Sequence, residues 1–392
     1  MQFSRSASRA FMPYPKAPVP HAPGGPLSGL TFAVKDLYDV AGYPTSAGNP
    51  LFLAASGVKD RHAAVVEQLL AAGAEFVGKT VTDEFAYSMA GENVHFGAPV
   101  NGGAPLRATG GSSSGSASAV SCGLAEFAIG TDTGGSVRCP ASQCGLFGLR
   151  PTHGRISLEG CHPLAPSFDT VGWFARDIRT FARVADVLLG PEPPLPAEIR
   201  ILRADDVFER FGAQVSQCLA PAVRRIEEVF GPAVSAELAP HGMEADAEAF
   251  RLLQAQEAWQ SDGEFIETNQ PPLGPGVRER FAFARKIALK DLSSEIRQQR
   301  LATAALEKTL GTDGVMVLPT LPGPAVPRGA PESEVNDFRT LSLLSLCHGG
   351  LTGLPWLSLP LGRLEGAPVG LSLIGPRGWD RRLIAVAERI LG

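Results

Sequence analysis

The stretch Gly110-Gly-Ser-Ser-Ser-Gly-Ser-Ala-Ser-Ala119, followed by Gly130-Thr-Asp-Thr-Gly-Gly-Ser-Val-Arg-Cys-Pro140, is the most informative part of this chain. It places Ser112 and Ser136 in two glycine-rich turns. Glycine before a serine removes the Cβ atoms that would keep a planar carbonyl group away, and it lets successive backbone N–H groups point at one spot. Nucleophilic attack on an acyl group needs both features, so the stretch predicts acyl-transfer chemistry.

A candidate base, Lys35, follows the apolar run Leu30-Thr-Phe-Ala-Val34, which predicts a buried strand. A serine hydroxyl is a poor nucleophile until a base takes its proton, and lysine accepts a proton only when it is neutral. To be neutral near pH 7 to 8, a lysine must be disfavoured as ammonium by about 3 to 4 kcal/mol, which burial supplies. From its position alone, the favoured interpretation of Lys35 is a surface lysine beside Asp36, which is what most lysines are.

The chain also resembles the amidase signature family of hydrolases. The similar segments are residues 32–40, 78–86, 110–140, 144–155 and 167–172, with weaker similarity at 315–322 and 353–362. The resemblance implies a single large α/β domain, in which helices cover a mixed, mostly parallel twisted central sheet. It also implies hydrolysis of a small-molecule amide without a cofactor or metal, and a homodimer, since dimers are common in the family.

The resemblance further implies a role for each residue of the motif. Ser136 is similar to the family's nucleophile, Ser112 to its bridging serine and Lys35 to the lysine that ends the proton relay. The peptide before the bridging serine is cis in the family. The implied oxyanion hole consists of the backbone N–H groups of Thr133, Gly134, Gly135 and Ser136. From the residues themselves, Ser112 is also expected to cap the helix predicted over 115–120.

The substrate expectation depends on smaller similarities. Ser114 stands where the commonest form of the motif has glycine, and this variant is similar to that of plant amidases acting on indole-3-acetamide. The segments 83–93 and 167–175 are similar to the same proteins, which favours a small arylacetamide. Ser88 and Met89 are expected to contact the substrate, as are helices within 246–290. Arg138 is expected either to bind a substrate carboxylate or to anchor its own loop.

Three other motifs match parts of the sequence. Residues 73–80 fit a phosphate-binding loop, but a helix is predicted before them and a strand after them, the reverse of what such a loop needs. Residues 111–115 fit a nucleophile elbow, but no convincing strand precedes them. Cys139 and Cys144 have no second pair at metal-ligand spacing, so we interpret them as packing cysteines.

Composition narrows the class of protein. The chain is 44% hydrophobic and 19% charged, with a net charge of −5, which gives no support to nucleic-acid binding. No run of eighteen apolar residues occurs, so no membrane-spanning helix is expected. Six cysteines without a recognisable signal peptide favour a reducing cytoplasm.

The predicted organisation is one domain with an extension. Residues 1–27 are expected to be a disordered end and an extended, proline-rich lead-in, and residues 28–392 the amidase signature domain. Within it we expect a catalytic core at 30–190, a helical insertion at about 205–310, and strands with a closing helix at 315–392 that rejoin the first sheet. Two functional alternatives stay open: a glutaminase-type component of an amidotransferase and a non-catalytic docking module.

Overall fold

A computed structural model describes residues 3–392. These residues form one α/β domain around a ten-stranded mixed sheet, as the sequence predicts. The strands are β1 Thr31–Lys35, β2 Glu75–Thr80, β3 Phe127–Thr131, β4 Phe147–Arg150, β5 Val171–Ala175, β6 Arg200–Ala204, β7 Val234–Ala236, β8 Gly314–Pro319, β9 Trp356–Leu364 and β10 Ala367–Ile374. Their order across the sheet is β2-β1-β3-β5-β4-β9-β10-β8-β6-β7.

Helices of the described residues cover this sheet. They are α1 Arg5–Ser8, α2 Pro50–Ser56, α3 Ala64–Ala71, α4 Ser114–Ser121, α5 Arg138–Cys144, α6 Ile178–Leu188, α7 Asp205–Phe211, α8 Ala213–Phe230, α9 Met243–Asn269, α10 Val277–Ile287, α11 Ser293–Leu310, α12 Glu332–Thr352 and α13 Asp380–Leu391, with a single 3-10 turn at Glu84–Ala86. Helix α9 packs against α10, α11 and α12 and so forms the centre of a helical layer.

Parallel and antiparallel pairs are nearly balanced in the sheet, which differs from the mostly parallel sheet that was expected. Strand β1 is parallel to β2 and β3, and β6 is parallel to β7 and β8. The pairs in the middle of the sheet are antiparallel. One reason is the two-residue turn between β9 and β10, where Glu365 and Gly366 both have positive φ. Such a short turn joins only antiparallel neighbours.

The late strands rejoin the first half of the chain, as predicted. Strand β9 pairs with β4, with Leu357 opposite Leu149, and β10 pairs with β8 on its other side. The last strands therefore lie in the middle of the sheet, where buried apolar side chains such as Trp356 and Leu373 fill the core. Strands β6 and β7 and helix α12 were not predicted.

The described residues from 3 onward pack against the sheet, which corrects the expectation of a disordered end for them; residues 1 and 2 lie outside the described residues. Residues 3–24 run beside β2, the outermost strand. Met12 donates its backbone N–H to the carbonyl of Lys79 at 2.9 Å, and Phe11 forms an antiparallel bridge with Thr80. This segment pairs with edge groups of the sheet that would otherwise face solvent. After helix α1, residues 11–22 are extended, as their proline content predicts.

The competing motifs do not form the sites that they resemble. Helix α3 precedes the phosphate-loop match and β2 follows it, as expected, and the buried Lys79 places its Nζ 2.6 Å from Asp36 Oδ1. Residues 101–113 contain no strand that could lead into a nucleophile elbow. Cys139 and Cys144 are buried free thiols, and no cluster of metal-ligating side chains occurs within 3–392. In the same range, no helix is long and apolar enough to span a membrane.

Candidate active site

Lys35 lies at the end of β1, fully buried, and contacts two hydroxyl groups. Its Nζ atom is 2.7 Å from Ser112 Oγ and 2.8 Å from Thr131 Oγ1. Strands β1 and β3 are parallel neighbours, with Val34 opposite Ile129, so the ends of both strands meet at one edge. The structure thus brings Lys35 and Ser112 together as predicted. It adds Thr131, which sequence reasoning missed although it directly precedes the nucleophile loop.

Burial determines the protonation of Lys35. Loss of solvation lowers its pKa to about 8, and the nearby carboxylates, Asp83 foremost, only partly oppose this. Within residues 3–392, Lys35 forms no ion pair. With a pKa of about 8, about a tenth of the molecules carry a neutral Lys35 at pH 7 and about half at pH 8. The side chain is therefore suited to accept a proton near neutral pH.

Ser112 lies two residues before the first residue of helix α4 and does not cap it. The Gly111–Ser112 peptide is cis, as the family resemblance implied. Helix α4 begins at Ser114, its N-cap residue is Ser113, and no side chain caps the first turn. The capping role expected for Ser112 is therefore wrong, because its hydroxyl is bonded to Lys35 instead. Gly111 has no room for a side chain, since a Cβ atom there would lie 2.2 Å from Asp83 Oδ2.

Ser136 lies in the loop between β3 and α5 and lines a small cavity. Gly134 of the same loop lines this cavity too. The two serine turns are joined through the backbone, because Ser113 donates its N–H to the carbonyl of Ser136 at 3.4 Å. Among the described residues, no hydrogen bond links Ser112 Oγ directly to Ser136 Oγ. Ser136 is thus open to the cavity, while Ser112 is bonded to the lysine beneath it.

Asp132 fixes the loop that carries Ser136. Its buried carboxylate accepts hydrogen bonds from the backbone N–H groups of Gly135, Val137 and Arg138. It also forms ion pairs with the side chains of Arg138 at 2.8 Å and Arg150 at 3.3 Å. Burial alone would raise the pKa of Asp132, but the two guanidinium groups, Arg138 first, hold it well below its usual range. The loop is therefore anchored by a permanent charge.

The oxyanion-hole prediction needs one correction. Gly135 donates its N–H to Asp132 Oδ1 at 2.9 Å, so this group is turned into the scaffold and does not face the cavity. The N–H groups of Thr133, Gly134 and Ser136 donate no hydrogen bond within residues 3–392. Three of the four expected donors therefore remain for a developing negative charge.

Arg138 belongs to the scaffold, so a contact with a substrate carboxylate is ruled out and the loop-anchor interpretation holds. Its side chain is fully buried, donates to Asp132 through Nε and Nη2, and donates to the carbonyl of Leu346 through Nη1. It lies over the ring of Trp356. Its donors are occupied inside the protein, and it does not line the cavity beside Ser136.

The walls of the cavity come from three parts of the chain. Ser88 and Met89 line it, as predicted, together with Ala86 and Tyr87 of the same segment. Helix α9, within the predicted 246–290 region, contributes Phe250 and Gln254; the unpredicted helix α12 contributes Arg339 and Leu343.

A buried ion pair holds α12 against α9. His348 Nε2 lies 2.9 Å from Asp246 Oδ2, and both side chains are almost completely buried. Burial alone would lower the pKa of His348, but Cys347 and the hydrogen bond to Asp246 raise it to about 10. The imidazole is therefore charged at neutral pH, and it locks together the two helices that form one wall of the cavity.

Fold and site together define an α/β enzyme with a serine-lined cavity above a buried lysine. Residues 3–200 match the protein-family model described as Amidase. The chain is 38% identical over 416 residues to Amidase 1 of Oryza sativa subsp. japonica, covering 97% of this chain and 94% of that protein. The chain therefore belongs to the amidase family, and it is an amidohydrolase.

Two further matches bear on the range of functions. A solved structure described as a crystal structure of amidase superimposes with a TM-score of 0.83 and 32% identity, covering 94% of this chain and 85% of that chain. One component of the glutamyl-tRNA(Gln) amidotransferase of Methanosarcina mazei is 32% identical over 392 residues, covering 90% of this chain and 81% of that protein. The family thus includes proteins named as amidases and proteins named as components of amidotransferases.

Proposed function

We propose that this protein hydrolyses the C–N bond of a small carboxamide through an acyl-enzyme on Ser136, with Ser112 and Lys35 as the proton relay. The observation that carries the proposal is the 2.7 Å contact between Lys35 Nζ and Ser112 Oγ beneath a cavity that Ser136 lines. A lysine whose pKa is lowered to about 8 supplies the base that a serine nucleophile needs.

The acylation step follows from this arrangement. Ser136 Oγ bonds to the amide carbon, and the π-electron pair of the carbonyl moves to its oxygen. The Ser136 proton passes to Ser112, whose own proton passes to neutral Lys35. The N–H groups of Thr133, Gly134 and Ser136 stabilise the oxyanion. When the C–N bond breaks, the leaving nitrogen takes a proton back along the same route and departs as ammonia or an amine.

Deacylation uses the same groups in reverse. Water adds to the ester carbon while its proton passes through Ser112 to Lys35. The bond to Ser136 Oγ then breaks, and the serine recovers a proton. A nucleophile–base hydrogen bond is often loose in the free enzyme and tightens with substrate, which fits the missing direct contact between the two serine hydroxyls. The products are a carboxylic acid and ammonia or an amine.

For the substrate we propose a small primary amide of the arylacetamide type, such as indole-3-acetamide. The cavity beside Ser136 is small, which favours a compact acyl group. Tyr87 and Phe250 line it and offer aromatic surface for a planar ring. The Ser114 variant of the motif supports the same class.

The test is ammonia release by wild type and Ser136→Ala on indole-3-acetamide, phenylacetamide, benzamide, malonamate, short aliphatic amides and glutamine. We expect turnover by wild type on at least one small amide and a loss of about 10⁴-fold or more in the variant, as for other serine nucleophiles. Equal turnover by a correctly folded Ser136→Ala protein would contradict the acyl-enzyme.

A glutaminase-type component of an amidotransferase is the second candidate, favoured by the similarity to the Methanosarcina mazei protein. It predicts that glutamine turnover appears only with a partner chain or with tRNA. Glutamine turnover absent under both conditions would count against it.

A non-catalytic docking module is the third alternative. It gives no role to the buried contact between Lys35 and Ser112.

A further inference from the structure

Arg339 of helix α12 stands out among the residues that line the cavity of Ser136. It is partly buried, and its guanidinium forms no hydrogen bond or ion pair with any part of the chain from 3 to 392. Its Nε atom is fully buried without a partner. The guanidinium therefore has no counter-ion within the described residues and a buried Nε without a partner, while its other nitrogens are not fully buried and are open to a ligand.

Two more deeply buried arginines and one exposed arginine have carboxylate partners. Arg138 and Arg150 are more deeply buried, but both pair with Asp132. The exposed Arg377 pairs with Glu307. Burial lowers the pKa of Arg339 to about 10, and repulsion by Arg280 adds to the effect, yet the group stays charged at neutral pH. A free cation therefore faces the same cavity as the nucleophile.

The surroundings of Arg339 strengthen its positive potential. Arg280 of α10 lies close enough to lower the pKa of Arg339, and its own Nη1 atom is buried without a partner. Arg251 also acts on Arg339, but it is paired with Glu248. Burial raises the pKa of Tyr87 to about 12, so this neighbour is neutral and offers no counter-charge.

The acidic side chains near Arg280 form no ion pair with it within the described residues. Asp83, Glu279 and Glu332 act on Arg280 through space, but none of them forms an ion pair with it within residues 3–392. Ser88 lines both the cavity of Ser136 and the neighbouring cavity that Arg280 lines. The neighbouring cavity is also lined by Glu84, Glu92 and Glu332, whereas no acidic residue lines the cavity of Ser136. The uncompensated positive charge of Arg339 therefore belongs to the nucleophile's cavity.

We infer that the acyl group of the substrate carries a carboxylate that binds the guanidinium of Arg339 while Ser136 attacks the amide. This inference rests on the proposed amide hydrolysis and selects, among arylacetamides and other small amides, those that bear a second, anionic group, so that neutral indole-3-acetamide would be a poorer substrate than a carboxylated analogue. The planar guanidinium matches a carboxylate with two parallel hydrogen bonds, which fixes the acyl group as well as binding it. Arg339 is then a specificity-determining residue, and a neutral arylacetamide fills the aromatic part of the cavity but leaves the cation unpaired.

Matched pairs of amides test the inference. We compare kcat/KM for 4-(carbamoylmethyl)benzoate with phenylacetamide, and for succinamate with succinamide, in wild type, Arg339→Met, Arg339→Lys and Arg300→Met. Arg300 is an exposed arginine of α11, so its variant removes the same charge from the surface. For wild type we expect the anionic member of at least one pair to be preferred by about 10- to 100-fold, the range of a charge-assisted hydrogen bond.

The variants separate recognition from folding. Arg339→Met should lose that preference, with kcat/KM on the anionic amide falling at least about tenfold further than kcat/KM on the neutral one, because only the anion loses a partner. Arg339→Lys should retain part of the preference, since it keeps the charge without the planar fork. Arg300→Met should behave as wild type. A preference for the neutral amides by wild type, or an equal loss on both members in Arg339→Met, would overturn the inference.

Binding gives a readout that is independent of turnover. Calorimetric titration of Ser136→Ala with malonamate, succinamate and 4-(carbamoylmethyl)benzoate should show binding of at least one anion, weakened at least tenfold by adding Arg339→Met. No binding of any of the three would overturn the inference even if neutral amides are hydrolysed. Turnover that is independent of Ser136, with anion binding intact, would instead contradict the proposed function alone.

Discussion

At the scale of single residues, the site uses two buried charges in opposite ways. Asp132 is surrounded by guanidinium and N–H groups, so its charge is permanent and it holds a loop. Lys35 is surrounded by hydroxyl groups, and burial lowers its pKa to about 8. The first arrangement gives rigidity, and the second gives a group that exchanges a proton near neutral pH.

The pKa of Lys35 predicts the pH dependence of activity. Because only neutral Lys35 accepts the proton, kcat/KM for a neutral amide should rise about tenfold per pH unit below pH 8 and level off above it. Lys35→Met should lose at least about 10³-fold at every pH. The measurement is a profile of kcat/KM from pH 6 to 9.5.

Lys308→Met is the control for this profile, since Lys308 is an exposed lysine of α11. Its profile should superimpose on that of wild type. Activity that is flat from pH 6 to 9, or that persists in Lys35→Met, would show that another group is the base.

At the scale of elements, the nucleophile loop is confined between helices α9 and α12. A Cβ atom on Gly134 would lie 2.7 Å from Phe250 Cζ of α9. A Cβ atom on Gly135, whose φ is +123°, would lie 2.7 Å from Leu346 Cδ1 of α12. The glycines of the loop are therefore needed for close approach of two helices as well as for access of the substrate.

This confinement predicts the effect of Gly134→Ala. The added methyl group must displace Phe250 or the loop, so the N–H groups of the oxyanion hole move and kcat should fall by about 10²-fold or more. Gly323→Ala is the control, because a Cβ atom there meets no atom within 4 Å. The measurement is kcat together with the midpoint of thermal unfolding. A wild-type kcat in Gly134→Ala would show that the loop accommodates the added methyl group without moving.

Some elements were predicted from the sequence and others were missed, and the two groups differ in the strength of their local sequence signals. Strand β1, the glycine turns and helices α10 and α11 have local signals: an apolar run, glycine spacing and helical periodicity. Helix α12 was missed because its second half is buried on all sides, so no apolar stripe marks it. Arg339 was missed with it. The orientation of the Gly135 N–H towards Asp132 was equally hidden, since glycine content does not say where each N–H points.

At the scale of the whole molecule, the first and second halves of the chain share one sheet. The residues that match the family model, 3–200, include β4, whose neighbour β9 comes from the far end of the chain. Thr152 and Asp380 add a long-range contact, since the Asp380 carboxylate accepts from the backbone N–H of Thr152 at 2.6 Å. The catalytic segment therefore depends on residues far from it in sequence.

This topology predicts that residues 1–200 do not fold alone. Without β9, strand β4 lacks its hydrogen-bonding neighbour on one side. The buried ring of Trp356, which covers Arg138, is missing too. We expect the fragment to be aggregated or without fixed tertiary structure, with weak near-UV circular dichroism and no cooperative urea transition. The intact chain in the same buffer is the control. Cooperative unfolding of the fragment would show that the first half is an independent domain.

The position of β9 and β10 in the middle of the sheet has a consequence for synthesis on the ribosome. Lys35, Ser112 and Ser136 are synthesised before strands β9 and β10, and β9 is the strand that completes the sheet next to β4. Until β9 is synthesised, the edge of β4 that it pairs with stays unpaired in the nascent chain. Exposed strand edges favour aggregation, which chaperones prevent. The nucleophile is assembled late, so the unfinished chain emerges without hydrolytic activity.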